Sequence, residues 1–313
     1  MSILEIKNLK KYYDNPRGIL HAVDDVSVSI AEGEILGVVG ESGCGKSTLG
    51  RVLLRLVEPT SGHISYMGTD IVSLKRKDMK KMRTKMQMIF QDPYSSLDPR
   101  MSVSQLISEP LYVYGICSNK KEAGERVDEL MKTVGLDHRY RNAYPHELDG
   151  GRRQRIGIAR ALSLEPGFIV CDEPVSALDV SIQAQILNLL QDLREERKLT
   201  YMFITHDLSV VYHLTNNICV MYLGRIVEYC ESKELFENTL HPYSQALLSA
   251  IPSIDIHNRK ERIILKGEVQ SPIEPPDRCR FAPRCNFATD ECFTSEPVLR
   301  EAAPGHLVSC HKL

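Results

Sequence analysis

The stretch Gly40-Glu41-Ser42-Gly43-Cys44-Gly45-Lys46-Ser47-Thr48 constrains the fold more than any other, because it matches G-x-x-x-x-G-K-[ST] and that motif works only between a strand and a helix. Glu34-Ile35-Leu36-Gly37-Val38-Val39 before it reads as a buried strand, and residues 48–54 after it read as a helix. Three glycines let the loop wrap so that successive N–H groups point at an anion, while the helix start adds its positive dipole end. Lys46 can then reach the outer phosphates, and the Ser47 hydroxyl can ligate Mg²⁺. The sequence implies a nucleoside triphosphate site in an α/β fold.

A chain of 313 residues can bury a large core, with room for one big domain plus an appendage. Its net charge of −2 offers no global basic field for nucleic acid. Residues 1–7 alternate apolar and polar like a strand and lack the apolar run of a signal peptide. No run of 18 apolar residues exists, so the expected location is the cytoplasm, free or held at the membrane by other proteins. In that reducing compartment nine cysteines are not expected to form disulfides.

Strand signals fall at Leu4–Leu9 and Val26–Ile30, with Tyr12-Tyr13 ending the first and Asp14–Gly18 making a loop. An aromatic there could stack on a base or simply fill the core. The Lys- and Arg-rich run 75–85 suits a solvated helix face, and residues 86–90 read as a strand ending at Gln91. Residues 94–165 change to helical patterns, an inserted lobe. Within it Asp149 is an N-cap candidate for a helix over Ile156–Ser163, and Gly150-Gly151 beside a helix start make a second potential anion site.

Phe168–Cys171 is an apolar strand delivering Asp172 and Glu173 at its carboxyl end, where open α/β sheets gather their ligands. Asp172 can hold Mg²⁺ through its shell, and Glu173 can polarise an attacking water. Gln91 could ligate the metal or orient that water. Asp179 precedes a helix with apolar residues at Ile182, Ile186, Leu189, Leu190 and Leu193, and Tyr201–Thr205 is a strand that ends on His206. Residues 218–223 and 226–229 around Gly224 signal a hairpin.

Taken in order, Gly40–Thr48, Gln91, Leu148–Arg155, Phe168–Glu173, Ser176–Asp179 and His206 resemble the nucleotide-binding subunit of an ATP-binding-cassette (ABC) transporter. The resemblance implies an α/β P-loop NTPase core of the RecA-like kind, with an inserted helical subdomain over about 92–165. It implies Tyr13 as the adenine-stacking aromatic, Gln91 as the lid glutamine coupling to the membrane domain, Glu173 as catalytic base and His206 as switch histidine. Phe90–Arg100, Ala177–Gln185, His241-Pro242-Tyr243 and a cysteine-bearing tail are similar to one branch, the ATPases of oligopeptide, dipeptide and nickel importers, and to its F-type subunit.

One segment departs from the family pattern. Where the family usually reads Leu-Ser-Gly-Gly-Gln, this chain reads Leu148-Asp149-Gly150-Gly151-Arg152. In the family the serine contacts the γ-phosphate held by a partner subunit. An ionised Asp149 there would repel it, by about 4 kcal/mol for charges ~4 Å apart at an effective dielectric of 20, unless Arg152 compensates. The expectation is a heterodimer with unequal sites: one equipped by Lys46, Glu173 and His206, the other impaired by Asp149.

The tail, introduced by Pro272, Pro275 and Pro276, carries Cys279, Cys285, Cys292 and Cys310. Four thiolates can hold an iron–sulfur cluster or Zn²⁺, and the lack of a C-x₂-C knuckle leans away from zinc. The resemblance implies a [4Fe–4S] cluster. A metal would cross-link a segment too short to build its own core.

The resulting expectation is a nucleotide-binding domain over 1–233 and a cysteine-rich C-terminal region over 234–313. The chain is expected to work as a peripheral ATPase on the cytoplasmic face of the membrane, with a second, non-identical ATPase subunit, two transmembrane permeases and, indirectly, an extracytoplasmic peptide-binding protein. A soluble cassette ATPase acting on nucleic acid or ribosomes would need basic inserts or a second cassette, which are not seen; a nonhydrolytic regulatory subunit is the reading that Asp149 motivates.

Overall fold

Long alternating runs dictate the first sheet. β1 (Ser2–Asn15) and β2 (Gly18–Ala31) pair antiparallel from Ser2↔Ala31 to Asn15↔Gly18. β1 therefore runs on past Tyr12-Tyr13, because Gly18 at φ 123° lets the chain reverse within Pro16-Arg17, and the Arg17 N–H donates to the Asn15 side chain. Leu4, Ile6 and Leu9 of β1 and Val23, Val26 and Ile30 of β2 are buried. The computed structural model describes residues 2–251, 262–268 and 270–313; Met1, which opens the alternating run 1–7, lies outside the described residues.

The chain divides into two units, Met1–Ser73 with Phe203–Leu313, and Leu74–Met202. In the first, β3 (Ile35–Val39) is buried at every position, as expected for a strand covered on both faces. It leads through the glycine loop into α1 (Lys46–Leu53), and β4 (Ser61–Tyr66) with β5 (Thr69–Asp70) completes a sheet of order β2-β1-β4-β5.

The second unit opens with α2 (Arg76–Lys85), where Met79 is buried and the cations are solvated. β6 (Met86–Ile89) ends just before Gln91. The expected helical lobe follows as α3 (Pro93–Ser96), α4 (Val103–Val113), α5 (Lys120–Thr133) and α6 (Gly150–Leu162). Each of α3, α5 and α6 starts where a side chain caps it: Asp92, Asn119 and Asp149 accept N–H groups of the first turn. α6 so begins six residues before the expected Ile156, because Asp149 caps it there. Arg160 of α6 ties the lobe together, donating to the Ser96 carbonyl and pairing with Glu109 at 3.0 Å. β7 (Phe168–Asp172) is wholly buried and pairs parallel with β6, Met86 opposite Phe168 and Ile89 opposite Cys171. α7 (Val180–Arg197) buries Ile186, Leu190 and Leu193, and β8 (Thr200–Thr205) returns the chain to the first unit.

There α8 (Leu208–Leu214) is followed by the hairpin expected around Gly224. β9 (Asn217–Tyr222) and β10 (Arg225–Glu231) are joined through Leu223 and Gly224, both at positive φ as a two-residue primed turn requires. β9 also pairs parallel with β3, Leu36 opposite Asn217. After α9 (Ser232–Glu237) and α10 (Pro242–Ser249), residues 272–274 run beside β2: the His21 N–H donates to the Pro272 carbonyl and the Glu274 N–H to that of Ile19. The tail ends with α11 (Asp290–Thr294), β11 (Arg300–Ala303) and β12 (His306–Val308), β12 pairing antiparallel with β10. Tyr222, Tyr243 and Phe281 form an aromatic cluster at centroid separations of 4.7 to 5.4 Å.

Candidate functional site: a nucleotide cradle

The first unit holds the phosphate loop. Two of its glycines are demanded by space: a Cβ at Gly40 would stand 2.2 Å from the Met221 carbonyl oxygen, and one at Gly45 2.0 Å from that of Ala22. Gly45 also adopts φ 103° at the N-cap of α1, and no side chain caps that helix, which leaves its start to an anion. Lys46, 5% exposed, donates from its ammonium to the carbonyls of Gly40 at 2.7 Å and Glu41 at 3.0 Å. A buried ammonium is retained only where such acceptors meet it. Burial pushes the neighbouring Cys44 thiol up, so it stays a neutral packing group.

Tyr13 is exposed near the β1–β2 turn with the Lys11 ammonium 4.6 Å from its ring centre, whereas Tyr12 is committed, stacked on His21 at 3.9 Å and donating its hydroxyl to Asp24. Of the two, Tyr13 is the exposed ring. His206 is exposed directly after β8, before Asp207 caps α8 through the Ser209 N–H.

In the second unit the structure brings Gln91 and Glu173 together, the Gln91 amide donating to the Glu173 carboxylate at 2.8 Å. Asp172, at the end of β7, is 1% exposed. Glu173 has φ 45°, a left-handed conformation that a non-glycine residue holds at a cost of roughly 1–3 kcal/mol and that gathers at functional sites.

The departed segment also differs from its expectation. Asp149 is not a bare anion: it accepts the Arg152 N–H at 2.8 Å, and its other oxygen pairs with the Arg152 guanidinium, which lies 4.8 Å from the Tyr140 ring centre. Gly150 and Gly151 let α6 pass Leu178 and Ile182, since a Cβ at Gly151 would meet Ile182 at 2.6 Å. Asp137, Arg139, Asp149, Arg152 and Arg155 line a cavity of about 260 Å³, in which Arg139 pairs with Asp137 and Arg152 with Asp149. Asp179 is exposed before α7, its carbonyl accepting the Gln183 N–H.

Cys279, Cys285, Cys292 and Cys310 line one cavity of about 130 Å³. Burial raises the Cys279 thiol to about 11. Among the described residues no three His, Cys, Asp or Glu side chains are gathered as donors to one metal ion. The tail thus places four thiols around one cavity.

Residues 23–176 match the ABC transporter family and residues 227–292 the oligopeptide/dipeptide transporter C-terminal region. The chain is 52% identical to a putative oligopeptide transport ATP-binding protein of Bacillus subtilis, YkfD, over 99% of its own length and 95% of the relative's. It belongs to the ATP-binding-cassette family. A second relative of this cassette, the oligopeptide transport ATP-binding protein OppF of Escherichia coli, is 50% identical over 99% of this chain and 93% of its own. Among solved structures, the cassette MJ0796, a dimer in a post-hydrolysis state with ADP and phosphate, superposes with a TM-score of 0.68 at 31% identity, covering 73% of this chain and 98% of that one. No helix among the described residues is long and apolar enough to cross a membrane.

Sequence reasoning missed two parts of the cassette. Asp24, 2% exposed, gathers Tyr12, His21, Arg225 and Arg280; burial acts to raise its pKa, but the hydrogen bonds and both arginines outweigh it and hold the carboxyl below its usual range. Glu41 of the loop is held from the tail by Arg284. Contacts across 256 and 243 residues leave no local signal.

Proposed function

We propose that the chain is the ATP-hydrolysing subunit of an importer of oligopeptides or dipeptides, seated on the cytoplasmic face of the membrane. It works there with a second, non-identical ATPase and two permeases that a peptide-binding protein supplies. The observation that carries this reading is the full-length likeness to proteins named for oligopeptide transport, on a chain whose Gly40–Thr48 loop is built to wrap phosphates. The nucleotide-binding domain spans 1–233, with its helical subdomain at about 92–165, and the C-terminal region 234–313.

Gly40–Thr48 cradles the triphosphate, Tyr13 meets the base and Lys46 leaves the loop carbonyls for the outer phosphates. Glu173 accepts a proton from the attacking water while Gln91 and His206 orient it, and the displacement runs in line. Ser47, Gln91 and Asp172 offer the hard oxygens that suit Mg²⁺, which supplies charge neutralisation when bound. Asp149–Arg152 and Asp179 face the partner's nucleotide. Because Arg152 neutralises Asp149, the second site is weakened less than a bare carboxylate would weaken it.

Reconstitution with the permeases tests the function: oligopeptide or dipeptide with its binding protein should stimulate ATP hydrolysis. Stimulation by nickel chelates alone would move the cargo to metals, and stimulation by RNA or DNA would sink the importer reading.

The observation that favours a [4Fe–4S] cluster as the tail's staple, with Zn²⁺ as its alternative, is that Cys279, Cys285, Cys292 and Cys310 line one cavity. Anaerobically purified protein should carry stoichiometric iron and absorb near ~400 nm; zinc in place of iron, or neither, would reject the cluster.

A further inference from the structure

The phosphate loop is held from outside its own motif. Arg284, 7% exposed on the short 3-10 turn Ala282–Arg284, sends Nη1 to Glu41 Oε2 at 2.6 Å and Nη2 to Oε1 at 3.0 Å. Tyr243 of α10 accepts the Glu41 N–H on its hydroxyl at 2.8 Å. The Glu41 carbonyl accepts from Lys46, so this one loop residue is gripped at its side chain, its N–H and its C=O. The grips are themselves fixed. The Arg284 guanidinium lies 5.9 Å from the Tyr222 ring centre, and Tyr243 is packed between Tyr222 and Phe281.

A carboxylate in a loop that wraps phosphates works against the loop's purpose unless its charge is cancelled. A two-toothed Arg–carboxylate pair cancels it and also sets a direction, because the planar fork accepts only one orientation of its partner.

We propose that Arg284 is a positioning residue of the nucleotide site: it neutralises Glu41 and pins the phosphate loop in its receiving conformation, so that nucleotide affinity depends on the C-terminal region. The inference rests on the reading of Gly40–Thr48 as an ATP cradle. The segment 279–285 that carries Arg284 also supplies two of the four thiols around the cysteine cavity. Arg280, in the same segment, pairs with Asp24, which takes the Tyr12 hydroxyl beside Tyr13. The tail thus touches the cradle at its phosphate end and at the hairpin that carries Tyr13.

The test is equilibrium titration of the full chain with fluorescently labelled ATP and ADP in Mg²⁺, with thermal melting in parallel. Failure of the wild type to bind would sink the cradle reading; the variants address Arg284 alone. Arg284→Ala should weaken both nucleotides about tenfold or more, the weight of a lost charge-assisted pair. Adding Glu41→Gln to Arg284→Ala should restore much of that loss, because the uncancelled charge is then gone. Loss of a residue that only stabilised the fold would lower the melting temperature and leave the nucleotide affinity of the folded protein unchanged. Arg284→Lys, which keeps the charge and loses the fork, should fall between wild type and Arg284→Ala, and it carries the test should the alanine variant not fold. Wild-type affinity in the Arg284 variants, or a loss that Glu41→Gln leaves untouched, overturns the proposal.

Discussion

Glu173 combines a proposed chemical role with a backbone that glycine would adopt more readily. Glu173→Gly should melt higher than Glu173→Ala, by up to about 1 kcal/mol, while both end ATP turnover; both lose the bond from Gln91, so equal melting temperatures would show that the φ of 45° carries no strain. His241 offers a second check at this scale. Its ring is buried and accepts the Tyr243 N–H, and burial lowers its pKa to about 3 against about 6.5 in the unfolded chain. The unfolded state therefore binds the extra proton. The stability that neutral His241 contributes is whole above pH 6.5 and is lost at about 1.4 kcal/mol per pH unit as pH falls toward 3. His241→Asn keeps a capping acceptor without the titration, so its melting temperature should fall less steeply between pH 6.5 and 4. Parallel curves would remove His241 from the account. Residues such as Lys46, Asp172 and Glu173 were legible because strand ends and glycine loops mark where such groups must stand. The left-handed backbone of Glu173 was not, since a glutamate gives no warning of it.

Among the elements, those with one dominant driving force are legible in the sequence. β3 and β7 are continuous apolar runs, and the β9–β10 turn announces itself with Gly224. The sequence marks Asp149 as the cap of α6, as the structure has it, but Gly150 to Arg153 looks like a loop by composition and becomes helix only through that cap. Asp149→Ala should cost about 1 kcal/mol in thermal or urea unfolding, whereas Asp149→Ser, which restores a capping hydroxyl, should not; equal losses in both would assign the effect to the Arg152 ion pair instead. β1 ran beyond its expected end for a similar reason. Tyr12 and Tyr13 look like a terminus in sequence, but their cross-strand partners His21 and Leu20 extend the ladder to Asn15.

For the molecule as a whole, the pieces of the proposed chemistry are legible in order along the chain, while a surface for the proposed second ATPase is not. In a reconstituted importer, Glu173→Gln should remove more ATPase activity than the matching change in the second ATPase, if Asp149 leaves the opposite site the weaker one. Loss of activity only with the partner's change would invert that assignment. The contribution of the C-terminal region to the fold was the least legible part. Proline-rich composition hides that residues 272–274 lie along β2 and that β12 pairs with β10.

That last pairing has a practical meaning for anyone who shortens the chain. β10 has β9 along one side and β12, from the extreme C-terminus, along the other, with His306 bonded to the buried Glu228 at 2.8 Å. A protease cut or a stop codon ahead of Arg300 would strip β10 of its outer neighbour. The bared row of N–H and C=O groups would then be a template for another polypeptide, and the buried carboxylate of Glu228 would lose its histidine. Truncated forms should clump before they lose their glycine loop.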